Sequence, residues 1–147
     1  MHESAGSRCL RGYITSVVVL LATLASIKLV TALGSERILA MPDPVLSVLS
    51  VRQVVLCAAV MEALAALLLV SELRLPNKFA CMVLLVVIFG GYKFAYIVLA
   101  IPAPCPCLGS LGAWLHLDNR TASIVSHVLL GYIGLPSVIT FLRWRPY

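Results

Sequence analysis

Four long apolar runs alternate with short polar breaks along the chain. The runs cover residues 13–33, 45–70, 79–101 and 121–142. Each is close to or above the roughly 20 residues that an α-helix needs to cross the hydrocarbon core of a bilayer. Backbone groups inside lipid must bond within their own segment, and prolines mark the breaks, so each run is predicted to be a helix. The pattern predicts an all-α, four-helix membrane bundle that forms a single domain over residues 1–147.

Composition supports this assignment and removes one class of function. The chain is 61% hydrophobic and 12% charged, whereas soluble domains are about half apolar and about a quarter charged. An integral membrane protein in contact with the lipid bilayer is therefore predicted. The net charge of +5 lies beside the apolar runs, and no basic patch alternates with aromatic residues, which argues against nucleic-acid binding.

Basic residues outside the apolar runs predict the orientation of the chain. Six lie in the two tails and the second connection, against two in the first and third connections. Because Lys and Arg stay in the cytoplasm, both termini are predicted to be cytoplasmic and loop 102–120 extracytoplasmic, in the periplasm if the membrane is a bacterial inner membrane. A cleaved signal peptide is an alternative for the first run, but that run is long and contains Lys28.

Two cysteines, Cys105 and Cys107, flank Pro106 in the predicted extracytoplasmic loop. Pro106 favours an extended Cys105, so both sulfurs point to one side. Their Cα atoms would be about 6–7 Å apart, at the edge of the disulfide range. A disulfide between them would be strained and easily reduced, which suits electron exchange. An inert pair and a metal site that adds His116 and Asp118 remain alternatives, although no familiar metal-ligand spacing supports the latter.

Four basic or ionisable residues interrupt the apolar runs at one predicted depth. They lie five to eight residues inside the ends nearest the cysteine loop, which is about 8–12 Å at 1.5 Å per residue. These residues are Lys28, Arg52, Lys93 and His127. One on each helix predicts a shared polar pocket, with snorkelling of the long side chains as the alternative. Such a pocket would favour a nearby thiolate, or attract a quinone oxygen or an acidic partner.

Glu62 lies deeper, towards the predicted membrane centre. A carboxylate there needs a partner or a proton. Lys28 becomes that partner if the second helix begins later than residue 45; otherwise Glu62 is predicted to be neutral and hydrogen-bonded. Tyr92 and Tyr96, four residues apart on one helix face, are predicted either to line the same cavity or simply to pack.

Four segments together resemble a known family. They are SIKLV around Lys28, AVMEALAALLLV around Glu62, CPCLGSLG around the cysteines, and NRTAS at the start of the last run. In this order they resemble the MauE family of methylamine-utilisation membrane proteins, within the wider DoxX-like group, over nearly the whole chain. The matching residues are Lys28, Glu62, Cys105, Cys107, Gly109 and, more weakly, Arg120. The family pattern often reads C-G-C-F-G, where this chain has Pro106 and Leu108.

The resemblance implies a function in disulfide chemistry. The family is associated with maturation of a disulfide-rich periplasmic amine dehydrogenase and with thioredoxin-like partners. A membrane component of thiol–disulfide electron transfer is therefore expected, with Cys105 and Cys107 as the candidate oxidoreductase pair. No cofactor is firmly implied, and a quinone is a candidate. Two other functions stay open, which are a non-catalytic assembly partner and a small proton-coupled transporter that uses Glu62.

Overall fold

The computed structural model describes residues 5–35, 37–99, 101 and 119–143. Its helices are α1 (Ala5–Leu33), α2 (Val51–Val70), α3 (Leu75–Val98) and α4 (Asn119–Arg143), with a short 3-10 helix (Arg37–Ala40) between α1 and α2. The described residues contain no β-strand beyond one isolated bridge between Pro42 and Ser50. The predicted all-α class is confirmed.

Three helices are long and apolar enough to cross a membrane, and they comprise Arg8–Leu33, Val51–Val70 and Leu75–Val98. In α4 the apolar stretch is shorter and covers Ile124–Thr140, although the helix itself has 25 residues. Large apolar side chains also cover the outside of the bundle, and on a membrane protein such a surface faces lipid tails. The helices therefore indicate a membrane protein in contact with the bilayer.

The second helix begins six residues later than the apolar run predicts. Residues 42–50 form a compact turn in which Asp43 donates its N–H to the Leu49 carbonyl at 2.7 Å. Ser50 then caps α2, because its hydroxyl accepts from the backbone of Gln53 and the Gln53 side chain accepts from the Ser50 N–H. This reciprocal capping box defines a helix start that hydropathy alone does not reveal.

The bundle consists of two helical hairpins. Helix α1 packs most extensively against α2, and α3 packs against α4. One apolar core joins all four helices in the half of the bundle nearest the α2–α3 turn. Its buried members are Val17, Leu21, Ala65, Ala66, Leu69, Phe79, Met82, Leu85 and Ile133. The opposite half, where α1 ends and α2 begins, contains the buried charged groups.

A tyrosine from α1 fastens α4 where a proline interrupts the backbone bonding of that helix. Pro136 lacks an N–H, so the Tyr132 carbonyl has no i+4 donor within α4. The Tyr13 hydroxyl lies 3.3 Å from that carbonyl and 2.8 Å from the carbonyl of Ile133. Ser137 also donates to the Ile133 carbonyl, at 2.6 Å. Neighbouring side chains thus compensate the proline, as is typical of helices in membranes.

Candidate functional site

A cavity lies between the two hairpins, directly beside the apolar core. It is lined by Leu21, Leu24, Lys28, Glu62, Leu85, Val86, Phe89, Lys93, Ser126, Leu129, Leu130 and Ile133. The centres of water molecules could occupy about 60 Å³ of it, and all its empty space, open mouth included, comes to about 580 Å³. Leu24 of α1 and Leu129 and Leu130 of α4 are only half-buried. The cavity therefore reaches the bundle surface between α1 and α4, two helices that pack little against each other.

Lys28 and Glu62 form a buried ion pair in the wall of this cavity. The Lys28 ammonium group donates to Glu62 Oε1, and the two residues are only 2% and 3% exposed. The same ammonium nitrogen lies 5.0 Å from the centroid of the Phe89 ring, on α3. Sequence analysis predicted this pair on condition that the second helix begins later than residue 45. Because α2 begins at Val51, that condition is met and the pair forms.

The second carboxylate oxygen of Glu62 is the unusual atom of the site. Oε2 is buried and accepts no hydrogen bond from any described residue. A buried acceptor without a donor costs about 1–3 kcal/mol, and more when it is charged. Lys28 has three N–H donors, of which Glu62 Oε1 accepts one. The ion pair in the cavity wall therefore combines an acceptor that has no donor with an ammonium group that has further N–H donors.

Lys93 is a second buried lysine of the cavity wall. It is 5% exposed and donates to the hydroxyl of Ser126, which joins α3 to α4. Ser126 is a cavity residue that the sequence did not predict, because a neutral serine is common in apolar helices and does not by itself indicate a site. The available signal was its position, one residue before His127 and at the same predicted depth.

The structure does not bring Arg52 or His127 into the cavity. Arg52 is the second residue of α2 and is exposed, and its guanidinium group donates to the Gly34 carbonyl at 2.9 Å, at the end of α1. The late start of α2 explains this position. His127 is exposed on α4, since one residue along an α-helix turns the side-chain direction by about 100° away from that of Ser126. Of the four residues predicted to share a pocket, Lys28 and Lys93 line the cavity.

A buried carboxylate outside the cavity organises the loop above it. Asp43 is 1% exposed, and its Oδ1 accepts from the backbone N–H groups of Val45 and Leu46 at 2.9 and 2.8 Å. Its Oδ2 accepts from the Tyr92 hydroxyl at 2.5 Å. Tyr92 also stacks at an angle on Tyr96, with ring centroids 5.6 Å apart. Neither tyrosine lines the cavity, and Tyr92 fixes the α1–α2 loop onto α3.

The predicted reacting pair lies outside the described residues. Cys105, Pro106, Cys107 and Gly109 fall within residues 102–118, and the side chain of Arg120 is not described either. In the described part of the chain, Cys9, Cys57 and Cys81 are free thiols, and no group of three or more His, Cys, Asp or Glu residues could hold a metal ion. The described residues thus offer an ion pair and a cavity as the site.

Comparison with known protein families, with curated proteins and with solved structures finds no match for this chain. The resemblance to the MauE family stays a prediction. What the described residues define is a class, a helical membrane protein with a buried lysine–glutamate pair in a laterally open cavity. Its function has to be inferred from the chemistry of that site.

Proposed function

We propose that this protein is a membrane component of thiol–disulfide exchange on the extracytoplasmic side of a bacterial inner membrane. Cys105 and Cys107 are the reacting pair, and a periplasmic thioredoxin-like or disulfide-rich protein is the partner. The supporting observation is that Lys28 and Lys93, two of the three charged cavity residues, lie in the last two turns of α1 and α3, at the end of the bundle to which the cysteine segment is attached. The order of Lys28, Glu62 and C-x-C in the MauE-like pattern points to the same chemistry.

Lys93 and Ser126 both lie near the helix ends that flank residues 102–118. Lys93 lies five residues before the end of α3, which is about 8 Å along the helix axis. Ser126 lies seven residues after the start of α4, or about 10 Å. The two helices that flank residues 102–118 therefore each contribute a buried polar group to one cavity. Positive charge near a thiol favours its thiolate, which is the reactive form in disulfide exchange.

The exchange proceeds in two displacements when the pair acts as the oxidant. A partner thiolate attacks one sulfur of the Cys105–Cys107 disulfide, so that a mixed disulfide forms and the other cysteine leaves as a thiolate. The partner's second thiolate then displaces the first cysteine. The partner leaves with a new disulfide, and two electrons remain on the Cys105–Cys107 dithiol. Reversing the same steps would carry electrons in the opposite direction.

A maleimide gel-shift assay on intact membranes tests this proposal. Across a series of redox buffers, the two loop thiols are expected to be titrated together, and Cys105→Ser is expected to abolish oxidation of a thioredoxin-like partner. Cys57→Ser is the matched control, because Cys57 is exposed on α2. If the loop thiols never change state, or if Cys105→Ser leaves partner oxidation unchanged, the proposal fails and a non-catalytic assembly role replaces it.

Glu62 supports a second candidate function, which is proton-coupled transport. Glu62 lines a cavity in an apolar helix bundle, and its buried Oε2 has no donor among the described residues. Intramembrane carboxylates of this kind serve proton relays. Substrate-dependent proton flux in proteoliposomes that Glu62→Gln abolishes would favour transport. Flux that Cys105→Ser leaves intact would separate this function from the thiol chemistry.

A further inference from the structure

We propose that the cavity between the two hairpins binds the head group of a membrane quinone, with Lys28 and Glu62 as its polar contacts. The inference deepens the proposed thiol–disulfide function, on which it rests for the source of the electrons. The binding site itself consists of described residues alone.

The access and the walls of the cavity fit a ligand that is dissolved in the membrane. The mouth opens between α1 and α4 and is bordered by half-buried leucines, including Leu24 and Leu130. Each hairpin packs mainly within itself, so α1 and α4 pack little against each other, and their hydrogen bonds, such as that of Tyr13 to the Ile133 carbonyl, lie near the start of α1. A ligand with an apolar tail can therefore enter from the lipid phase, with its ring in the cavity and its tail between the helices. About 60 Å³ of the cavity is open to the centres of water molecules, which is several times the roughly 10–15 Å³ that a single water needs.

The inner end of the cavity fits an oxygen that both accepts and donates hydrogen bonds. Lys28 has N–H donors beyond the one that Glu62 Oε1 accepts. Glu62 Oε2 is a buried acceptor without a donor among the described residues. A quinone carbonyl accepts from the ammonium group, and a quinol hydroxyl in addition donates to the carboxylate. The Phe89 ring forms part of the wall beside the ammonium group, so an aromatic surface is available to a planar ring.

The electron balance of the proposed function calls for such a ligand. After a client has been oxidised, the Cys105–Cys107 pair is a dithiol that must lose two electrons and two protons before it can react again. A quinone accepts two electrons and two protons. The S–S bond forms, two S–H bonds are lost, and two O–H bonds form on the ring, giving a quinol. Glu62, as an acceptor beside the ring oxygen, is placed to take up and pass on one of these protons when the quinol is made or leaves.

Photoaffinity labelling in nanodiscs tests the site directly. The full-length protein is exposed to an azido derivative of decylubiquinone, with unlabelled decylubiquinone as competitor, and the labelled peptides are mapped. Saturable labelling of α1 and α4 segments that line the cavity is expected. Leu24→Trp fills the mouth without removing a polar group and is expected to weaken binding at least tenfold. Val19→Trp is the matched control on the same helix, since Val19 is 60% exposed and does not line the cavity.

The polar contacts are tested by a double substitution. Lys28→Met together with Glu62→Met removes both charges, so that neither is left unpaired in the bundle. This variant is expected to keep its helical circular dichroism and to bind decylubiquinone at least tenfold more weakly. Labelling that does not saturate, that both variants leave unchanged, or that oleic acid competes as well as decylubiquinone does would overturn the proposal.

The experiments distinguish a failure of the quinone site from a failure of the thiol–disulfide function. If the Cys105–Cys107 pair is oxidised by a soluble oxidant in the gel-shift assay but decylubiquinone does not bind, the quinone site is wrong and the thiol function stands. If decylubiquinone binds in the cavity but the loop thiols never change state, the thiol function is wrong and the cavity remains a quinone site with another electron donor.

Discussion

The two halves of this bundle are held together by different forces. In the half near the α2–α3 turn, side chains such as Leu69 and Phe79 are at most 1% exposed and form one apolar core. In the other half, charged and polar side chains join neighbouring helices across a cavity, as Lys28 does with Glu62. A membrane bundle needs only the first arrangement for packing, because close contact between helices is sufficient to associate them in lipid. The second arrangement therefore indicates function.

Energetics strengthens this contrast. Taking two charges out of water costs several kcal/mol per ion, and a buried ion pair often stabilises a protein no more than apolar residues of similar volume. Intramembrane charges that face a bundle interior commonly mark a ligand or proton pathway. The buried Oε2 of Glu62, which has no hydrogen-bond donor among the described residues, adds a desolvation cost that side-chain packing does not offset. Four substitutions test the contrast, and their expected effects decrease from the ion pair to Arg52.

Breaking the ion pair on one side is expected to destabilise the protein most. Glu62→Ala leaves the Lys28 ammonium buried without its carboxylate, and removing one partner of a buried pair costs about 3–5 kcal/mol. The free energy of unfolding, measured by SDS titration in mixed micelles, should fall by that amount. The double variant Lys28→Met with Glu62→Met should regain most of the loss. If the double variant is as unstable as Glu62→Ala, the ion pair itself stabilises the fold. The two halves of the bundle would then both serve stability.

In the apolar half, a truncation is expected to affect stability and leave the cavity intact. Leu69→Ala removes a side chain that is 1% exposed in the core. Leucine truncations cost about 2–5 kcal/mol in soluble cores, and the lower end is expected because lipid is as apolar as the core. The SDS midpoint measures the loss. Decylubiquinone binding at a temperature where the variant is folded should be unchanged, and a weakened affinity would show that the two halves are not independent.

Three of the five charged or ionisable residues that the sequence places inside the helices line the cavity, and two, Arg52 and His127, do not. Apolar runs revealed the helices, and Lys28 and Glu62 stood out because charges within such runs are costly. The predicted depth of Arg52 was wrong because hydropathy carries no information on the Ser50 capping box. That box makes α2 begin at Val51, so Arg52 lies at the N-terminal end of the helix. Ser126 and Asp43 were overlooked because a neutral serine and a loop aspartate look ordinary until the fold buries them.

The tyrosine that fastens α4 is expected to contribute a smaller amount. Tyr13→Phe keeps the ring and its edge-on contact with Tyr132, at 5.8 Å between centroids, but removes the hydroxyl that donates to the Ile133 carbonyl. Hydrogen bonds between membrane helices contribute about 0.6 kcal/mol on average, so a loss of about 0.6–1 kcal/mol is expected in the SDS titration. Ser16→Ala is the control, because it removes the hydrogen bonds to the Tyr13 carbonyl and the Tyr132 hydroxyl but leaves the bonds to the carbonyls beside Pro136 in place. Equal losses from both changes would argue against a special role for the carbonyls beside Pro136.

Arg52 is expected to show the smallest effect and to give the sharpest test of where the site ends. Its exposed guanidinium group donates to the Gly34 carbonyl at 2.9 Å, and surface substitutions usually change stability by less than about 0.5 kcal/mol. Arg52→Gln should therefore leave the SDS midpoint, decylubiquinone binding and the redox titration of the loop thiols unchanged. Lys93→Gln, the matched change at a lysine that lines the cavity, should weaken decylubiquinone binding. If Arg52→Gln weakens decylubiquinone binding as much as Lys93→Gln does, the quinone responds to all the positive charge at this end of the bundle. The binding site would then extend beyond the residues that line the cavity.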